Sequence, residues 1–217
     1  LRQLLMQPPV KNSVALGFDP GYRTGCKVAV VDATGKVLDT SVVYPTPPKS
    51  DIAGAERIIK NLIEKIRNAG DVAIRSTFIV GFPGETDEQY QKLYDFIGEY
   101  KLNYAGFFAY SKEDGTAAAK LKNQIPQAVK NKRLKNITAL QSKVIFENNK
   151  NYVGKTLKVL YEGIDYDNNI FYGRPEFCAP EVDAKVLFSS DNLVNVGNFY
   201  DVKITGANGY DLVGEVK

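Results

Sequence analysis

The chain of 217 residues contains no His at all, 2 Cys and 1 Met. Without an imidazole there is no Ser-His-Asp or Cys-His catalysis and no imidazole-held metal. Two thiols cannot supply the three or four ligands of an iron–sulfur cluster or a structural zinc site. Cys26 and Cys178 lie far apart and neither has the neighbours of a redox pair, so reduced thiols of a cytoplasmic protein are expected. No apolar run approaches the roughly 20 residues that span a bilayer. The opening Leu1–Met6 is too short for the apolar core of a signal peptide and is followed by Pro8 and Pro9. The chain begins without Met and reads as cut from something longer. Internal repeats and low-complexity stretches are lacking as well.

What is present is ordinary for a folded chain: 44% hydrophobic and 24% charged residues. The net charge of +3 permits contact with nucleic acid without demanding it.

Along the first half, strands and helices alternate. Val14–Asp19, Lys27–Asp32 and Val37–Tyr44 are expected as a three-strand meander, turned at Ala33–Lys36 and ended by Pro45, Pro47 and Pro48. A helix follows, capped by Ser50 or Asp51, with Ile52, Ala55, Ile59, Leu62, Ile63 and Ile66 on one stripe and Gly70 as its stop. Ala73–Val80 is the next strand, and the turn Gly81-Phe82-Pro83-Gly84-Glu85 leads to a helix opened by Thr86 and Asp87. Strand Tyr104–Ala109, a polar loop over 111–121 and a long helix from Pro126 towards Asn149 complete this part. Beyond about Asn151 the pattern changes. Five short strands, Thr156–Tyr161, Ile170–Gly173, Val182–Phe188, Phe199–Ile204 and Tyr210–Val216, alternate with Gly, Asn and Asp turns, as in a small closed barrel.

Two resemblances meet in this one chain. LRQLLMQPP, GFDPGYRTGCKVAVVDATGKVLDTSVVYPTPP and the helix through about Lys65 resemble the Tex family of transcription accessory proteins, where such text opens a YqgF-like domain of ribonuclease H fold. IRSTFIVGFPGETDEQY, FFAYSKEDGTAAAKL, VGKTLKVL, GRPEFCAPEVDAKVLF and ITGANGYDLVGEV are similar to the final third of the radical-SAM methylthiotransferases. The APEVD text resembles the branch acting on ribosomal protein S12 rather than on tRNA. That resemblance implies a TRAM domain at the end, an OB-like barrel binding RNA or the target protein. The two texts meet around Leu62–Arg67, and an artificial or recombined chimera is the leading explanation, with a natural gene rearrangement beside it.

The expected fold is therefore α/β with one mixed sheet, a ribonuclease H-like hybrid of order βββαβαβα over 1–150 (Tex-like 1–66, methylthiotransferase-like 67–150). A small all-β TRAM-like barrel over 151–217 follows it. The splice is workable because each piece supplies apolar strands and amphipathic helices that can layer together.

Three places could carry chemistry. Resemblance to ribonuclease H-like nucleases makes an acid after the first strand and another after the fourth into Mg²⁺ ligands. Asp19 and Glu85 fall near those positions but read as vestiges, since two-metal hydrolysis needs a complete carboxylate set. The Gly21–Gly25 turn beside Arg23 and Lys27 reads as a tight turn that could also bind phosphate. The GFPGE turn resembles one lying beside the cofactor in radical-SAM enzymes, whose CxxxCxxC motif this sequence lacks. In the barrel, Lys155, Lys158, Arg174, Lys185 and Lys203 could form a nucleic-acid-binding face, with Tyr161, Phe171, Tyr172 and Phe177 either stacking on bases or filling the core.

The sequence thus points to a chimera that is not an enzyme, without metal or cofactor, not bound to a membrane, and with weak affinity for RNA or a ribosomal protein through its barrel. The alternatives are a fragment of the S12 methylthiotransferase or a Tex-like nucleic-acid-binding accessory protein. A homodimer would cover a sheet edge left open by the junction.

Overall fold

The structure, a computed structural model, describes residues 15–19, 26–31, 36–44, 51–69, 73–179 and 183–216. The Gly21–Gly25 turn with Arg23, the Ala33–Gly35 turn, Ser50 and Gly70 lie outside the described residues. The chain divides into two compact units, Leu1–Val72 and Ala73–Lys217. The boundary expected near 149–152 falls within the second unit, where its last helix ends.

In the first unit, β1 (Ala15–Asp19), β2 (Cys26–Val31) and β3 (Val37–Val43) pair antiparallel in that order, with Asp19 opposite Lys27 and Cys26 opposite Val43. Helix α1 (Ile52–Ala69) starts at Asp51, whose Oδ1 accepts the Gly54 N–H at 2.8 Å. This is the side-chain cap that an Asp supplies to an orphan helical N–H. Cys26, Val28, Val30 and Val43 bury one face of the sheet with Ala55 and Leu62 of the helix. Alternation along β2 and the helical stripe of α1 meet there, as the two periodicities require.

In the second unit, β4 (Arg75–Val80), α2 (Asp87–Tyr100), β5 (Tyr104–Ala109) and α3 (Gln127–Lys150) form two successive strand–helix pairs. The strands are parallel, with Phe78 opposite Phe107 and Ile79 opposite Phe108. Thr86 and Gln89 close a capping box at the start of α2, each side chain bonded to the other's backbone N–H. Lys101 ends that helix in the left-handed region at φ 44°, its N–H returning to the Ile97 carbonyl.

The expected single mixed sheet needs correction. Among the described residues β1 pairs with β2, and β4 pairs with β5 in a separate two-stranded sheet. Strand–helix–strand closure satisfies β4 and β5 locally.

The remaining strands close a barrel in the order β10–β8–β7–β6–β9: β6 (Thr156–Asp165), β7 (Ile170–Pro175), β8 (Val186–Ser189), β9 (Phe199–Asn208) and β10 (Asp211–Val216). Val159, Tyr161, Val186, Phe188, Val202, Ile204 and Leu212 fill it. Gly173 and Gly214 are the close approaches. A Cβ on Gly173 would meet the Leu160 carbonyl oxygen at 2.2 Å, and one on Gly214 the Lys203 carbonyl oxygen at 2.6 Å.

Candidate recognition surfaces

Period-2 alternation decides what the barrel shows to the outside. On β6 the side chains of Leu157, Val159 and Tyr161 point inward, leaving Thr156, Lys158 and Leu160 outward; on β9, Tyr200, Val202 and Ile204 point inward, leaving Phe199, Asp201 and Lys203 outward. The five cations singled out from the sequence are all on the barrel or at its entrance, but their surroundings differ. Lys158 is opposite Asp201 and stands 5.7 Å over the Phe199 ring. Lys203 is opposite Thr156 on one side and Glu215 on the other. Arg174 bonds through Nε to Glu162 at 2.6 Å, and a second nitrogen donates to the Cys178 carbonyl at 3.4 Å. Lys185 stands 4.1 Å over the Tyr172 ring, and Lys155 5.3 Å over Tyr152. Lys158, Lys203 and Arg174 therefore each have a carboxylate as neighbour, which weakens the field they offer to a phosphate backbone.

The aromatics divide in the same way. Tyr161 and Phe171 meet edge-to-face at 5.3 Å inside the core. Tyr172 faces outward under Lys185, while Phe177 stacks on Tyr152 at 5.2 Å.

Strand directions define two ends of the barrel. One end is held by the rest of its unit: Asn149 donates to the Tyr210 carbonyl at 2.9 Å, and Tyr104 Oη lies 3.1 Å from Cys178 Sγ. The other end is made by the β6–β7 hairpin (165–170) and the β8–β9 connection (190–198). There Leu193 is 97% exposed, Tyr166 84% and Val196 64%. These two segments carry Asp165, Asp167 and Asp191 and no Lys or Arg. The hairpin is built by Asp165, whose Oδ1 accepts the N–H groups of Asp167 at 3.0 Å and Asn168 at 3.2 Å. The Asn168 amide bond to its other oxygen, followed by those backbone bonds, holds this carboxyl below its usual range and so keeps it charged. The 190–198 segment is tied down by Gly197 N–H to the Tyr161 carbonyl at 2.8 Å and by Asn195 N–H to Tyr200 Oη at 2.8 Å. The sequence reasoning followed cations and missed this end. Its signal was Tyr166, Leu193 and Val196 standing in Asp- and Asn-rich turns where core residues have no place.

The GFPGE corner is spanned by Glu85. One carboxylate oxygen accepts the Gly81 N–H at 3.0 Å, and the other bonds Arg133 at 2.6 Å. Arg133 also reaches Asp87 at 2.6 Å and lies 5.4 Å over Tyr90. Glu85 thus braces the turn with both oxygens. Asp19 ends β1, where its backbone pairs with Lys27. Cys26 is buried in the first unit and Cys178 in the second. Among the described residues no three His, Cys, Asp or Glu gather as a metal site, so those residues do not fit an iron–sulfur cluster. No described helix is long and apolar enough to cross a membrane.

The closed five-strand barrel defines the class of the C-terminal region: residues 153–216 match the TRAM domain family. Residues 13–77 match the family of the Tex protein YqgF-like domain. Over a longer stretch the chain is similar to proteins named ribosomal protein uS12 methylthiotransferase RimO. It is 44% identical to that of Alkaliphilus oremlandii, a match covering 82% of this chain and 40% of the relative. With that of Thermoanaerobacter sp. it is 41% identical over 72% of this chain and 36% of the relative. With that of Elusimicrobium minutum the figures are 43%, 67% and 32%. The chain therefore spans about two fifths of the length of these relatives or less. A match over 82% of the chain also runs into the stretch that the Tex family covers.

These names correct the expectation that the chain is not an enzyme. Its relatives at 38 to 44% identity are named as one, a methylthiotransferase. The expectation rested on cluster cysteines missing from this sequence, which spans too little of those relatives for that absence to decide the matter.

Proposed function

We propose that this chain supplies target recognition to a protein of the uS12 methylthiotransferase kind, and that the barrel is its docking module. The observation carrying this reading is the free barrel end, where Leu193, Tyr166 and Val196 are exposed on segments that hold three aspartates and no Lys or Arg of their own, with Lys185 within electrostatic reach of Asp165. An apolar centre with a mainly acidic rim suits a basic protein surface, such as a ribosomal protein, in the cytoplasm where ribosomes work. In this reading the barrel is a module of its own over 151–217, apart from the α/β part over 1–150.

A second reading has its own observation. Lys155, Lys158 and Lys185 each cap an aromatic ring, and together with Arg174 and Lys203 they offer weak, salt-dependent contact to RNA. The carboxylates beside three of the five cations are why the protein target ranks first.

The test is a titration of the whole chain with purified uS12 ribosomal protein and, separately, with a single-stranded RNA of about one OB-fold site size, roughly 4–16 nucleotides. Protein docking predicts that Leu193→Asp weakens uS12 binding about tenfold or more while Lys158→Glu changes it little. RNA binding lost with Lys158→Glu, with no uS12 binding at any salt concentration, would reverse the order of the two readings.

A further inference from the structure

Helix α3 carries five Lys, Arg133 and a single acid, Glu147, so its net charge is +5, whereas that of the whole chain is +3. Two of the cations are held inside. Lys130 donates to the Tyr110 carbonyl at 2.9 Å, and Arg133 bridges Glu85 and Asp87. The other four, Lys132, Lys135, Lys143 and Lys150, are exposed. At about 100° per residue they fall, with Ala139 and Phe146, in a sector of about 80°. The rise of about 1.5 Å per residue sets Lys135, Lys143 and Lys150 about 12 and 10 Å apart, in a row about 27 Å long from Lys132. Among the described residues none of the four forms an ion pair. Lys150 stands 4.6 Å over the Phe146 ring. Glu147, at the edge of the row, bonds Lys101 at 2.8 Å and lies within electrostatic reach of Lys150.

This arrangement works against the helix. Its first turn has no acid to set against the macrodipole, and Lys132 and Lys135, three residues apart, repel each other. A merely solvated face intersperses both signs; a row of one sign leaves the counter-charge to a ligand. Phe146 is the only large apolar side chain in the row, so the face lacks both the apolar centre of a protein interface and the apolar stripe of a membrane-surface helix. Wide spacing of point charges suits a rigid polyanion whose phosphates stand in fixed lines, as in a duplex, over a single strand that must first be ordered. We infer that the exposed face of α3 is a second binding site, separate from the barrel, for the phosphate backbone of double-stranded RNA. The choice of RNA among polyanions rests on the reading that the target is a ribosomal protein, which lies among folded RNA.

The experiment titrates the whole chain into a labelled RNA duplex of about 16 base pairs, the span that a double-stranded RNA module covers, and follows anisotropy between about 50 and 200 mM salt. Lys135→Gln with Lys143→Gln should weaken binding about tenfold or more at low salt and lower the salt slope by about two, one for each lost phosphate contact. Both positions are exposed, so the circular dichroism and melting temperature should not change. Lys92→Gln with Lys112→Gln, on α2 and in the loop after β5, removes the same charge and should change affinity by less than twofold. Leu193→Asp should leave duplex binding intact, and the Lys135 and Lys143 changes should leave uS12 binding intact, so failure of this site and failure of the docking reading are told apart. Four results overturn the inference: no duplex binding by the parent chain at about 50 mM salt, equal losses in the two double variants, duplex binding lost with Lys158→Glu instead, or a DNA duplex or phosphatidylserine vesicles bound more tightly than the RNA.

Discussion

Tyr104 Oη lies 3.1 Å from Cys178 Sγ, joining the first residue of β5 to the β7–β8 connection of the barrel. Arg75 covers this contact, its guanidinium 4.9 Å over the Tyr104 ring and ion-paired to Asp183. The seam between the strand–helix pairs and the barrel is thus a thiol and a phenol beneath an ion pair. Burial, more than any other cause, pushes the Cys178 thiol up to about 12, against an ordinary 9.0, and pushes the Tyr104 phenol up as well.

Both groups stay protonated in the fold and ionise more readily in the unfolded chain. Their contribution to stability is complete below pH 9 and is lost as pH rises towards 12. Chemical denaturation should show stability falling across that window, with a shallower fall in Cys178→Ser. Near pH 8 the thiolate population is about a thousandfold below that of a thiol at 9.0, so iodoacetamide should label Cys178 only after unfolding. Rapid labelling of the native chain at Cys178, read by peptide mass, would contradict this.

Asp183 has a second duty. Its side chain is 4% exposed, and its Oδ2 accepts the Ala179 N–H at 2.6 Å while the carboxylate holds Arg75. Asp183→Ala leaves a partly buried N–H and a half-buried guanidinium without their partner. The expected loss is about 3 kcal/mol, at the lower end for a broken buried pair because Arg75 keeps water on one side. Arg75→Ala strands that buried carboxylate and should cost at least as much, and the double variant little more than Asp183→Ala. Urea denaturation of the three chains checks the order.

The barrel should fail sharply at its close approaches. Gly173→Ala drives a methyl into the Leu160 carbonyl and Val159, which are backbone and packed core. Overpacking there should cost about 1–3 kcal/mol, and Phe188→Ala, from a fully buried position, about 3–5 kcal/mol. Gly206→Ala, with open space around its Cβ, should be nearly neutral. Thermal melts distinguish the three.

The barrel was legible because short alternating strands between Asn, Asp and Gly turns have few other solutions. The helix starts at Asp51 and Thr86 were legible because capping is local chemistry. Helix α3 shows where such reading stops. Its apolar positions Val129, Leu134, Ile137, Leu140, Val144 and Ile145 recur at helical spacing along one side, yet Lys130, Arg133, Gln141 and Asn149 are buried with Ile137, Val144 and Ile145. Each buried polar group bonds something far along the chain: Lys130 the Tyr110 carbonyl, Gln141 the Leu102 carbonyl, Asn149 the Tyr210 carbonyl. Those partners are set by tertiary packing, which periodicity does not record. The sheet went unread for a related reason. The apolar character of β4 marks it as a strand but says nothing about which neighbour it pairs with.

Arg133 is the buried group with the largest consequence. It links Glu85 and Asp87, at the end of the turn and the start of α2, to the middle of α3, and it accepts through its carbonyl the Tyr90 hydroxyl bond at 3.0 Å. Removing it strands the Glu85 carboxylate, 13% exposed, against the Gly81 N–H alone. Arg133→Ala should therefore cost about 3 kcal/mol or more, and Arg133→Lys should recover little, because a single ammonium cannot bridge two carboxylates as a guanidinium fork does. Glu85→Gln, which keeps an oxygen for Gly81 but loses the ion pair, should fall between wild type and Arg133→Ala. If all three variants melt with the parent chain, the brace at the GFPGE corner contributes nothing to stability.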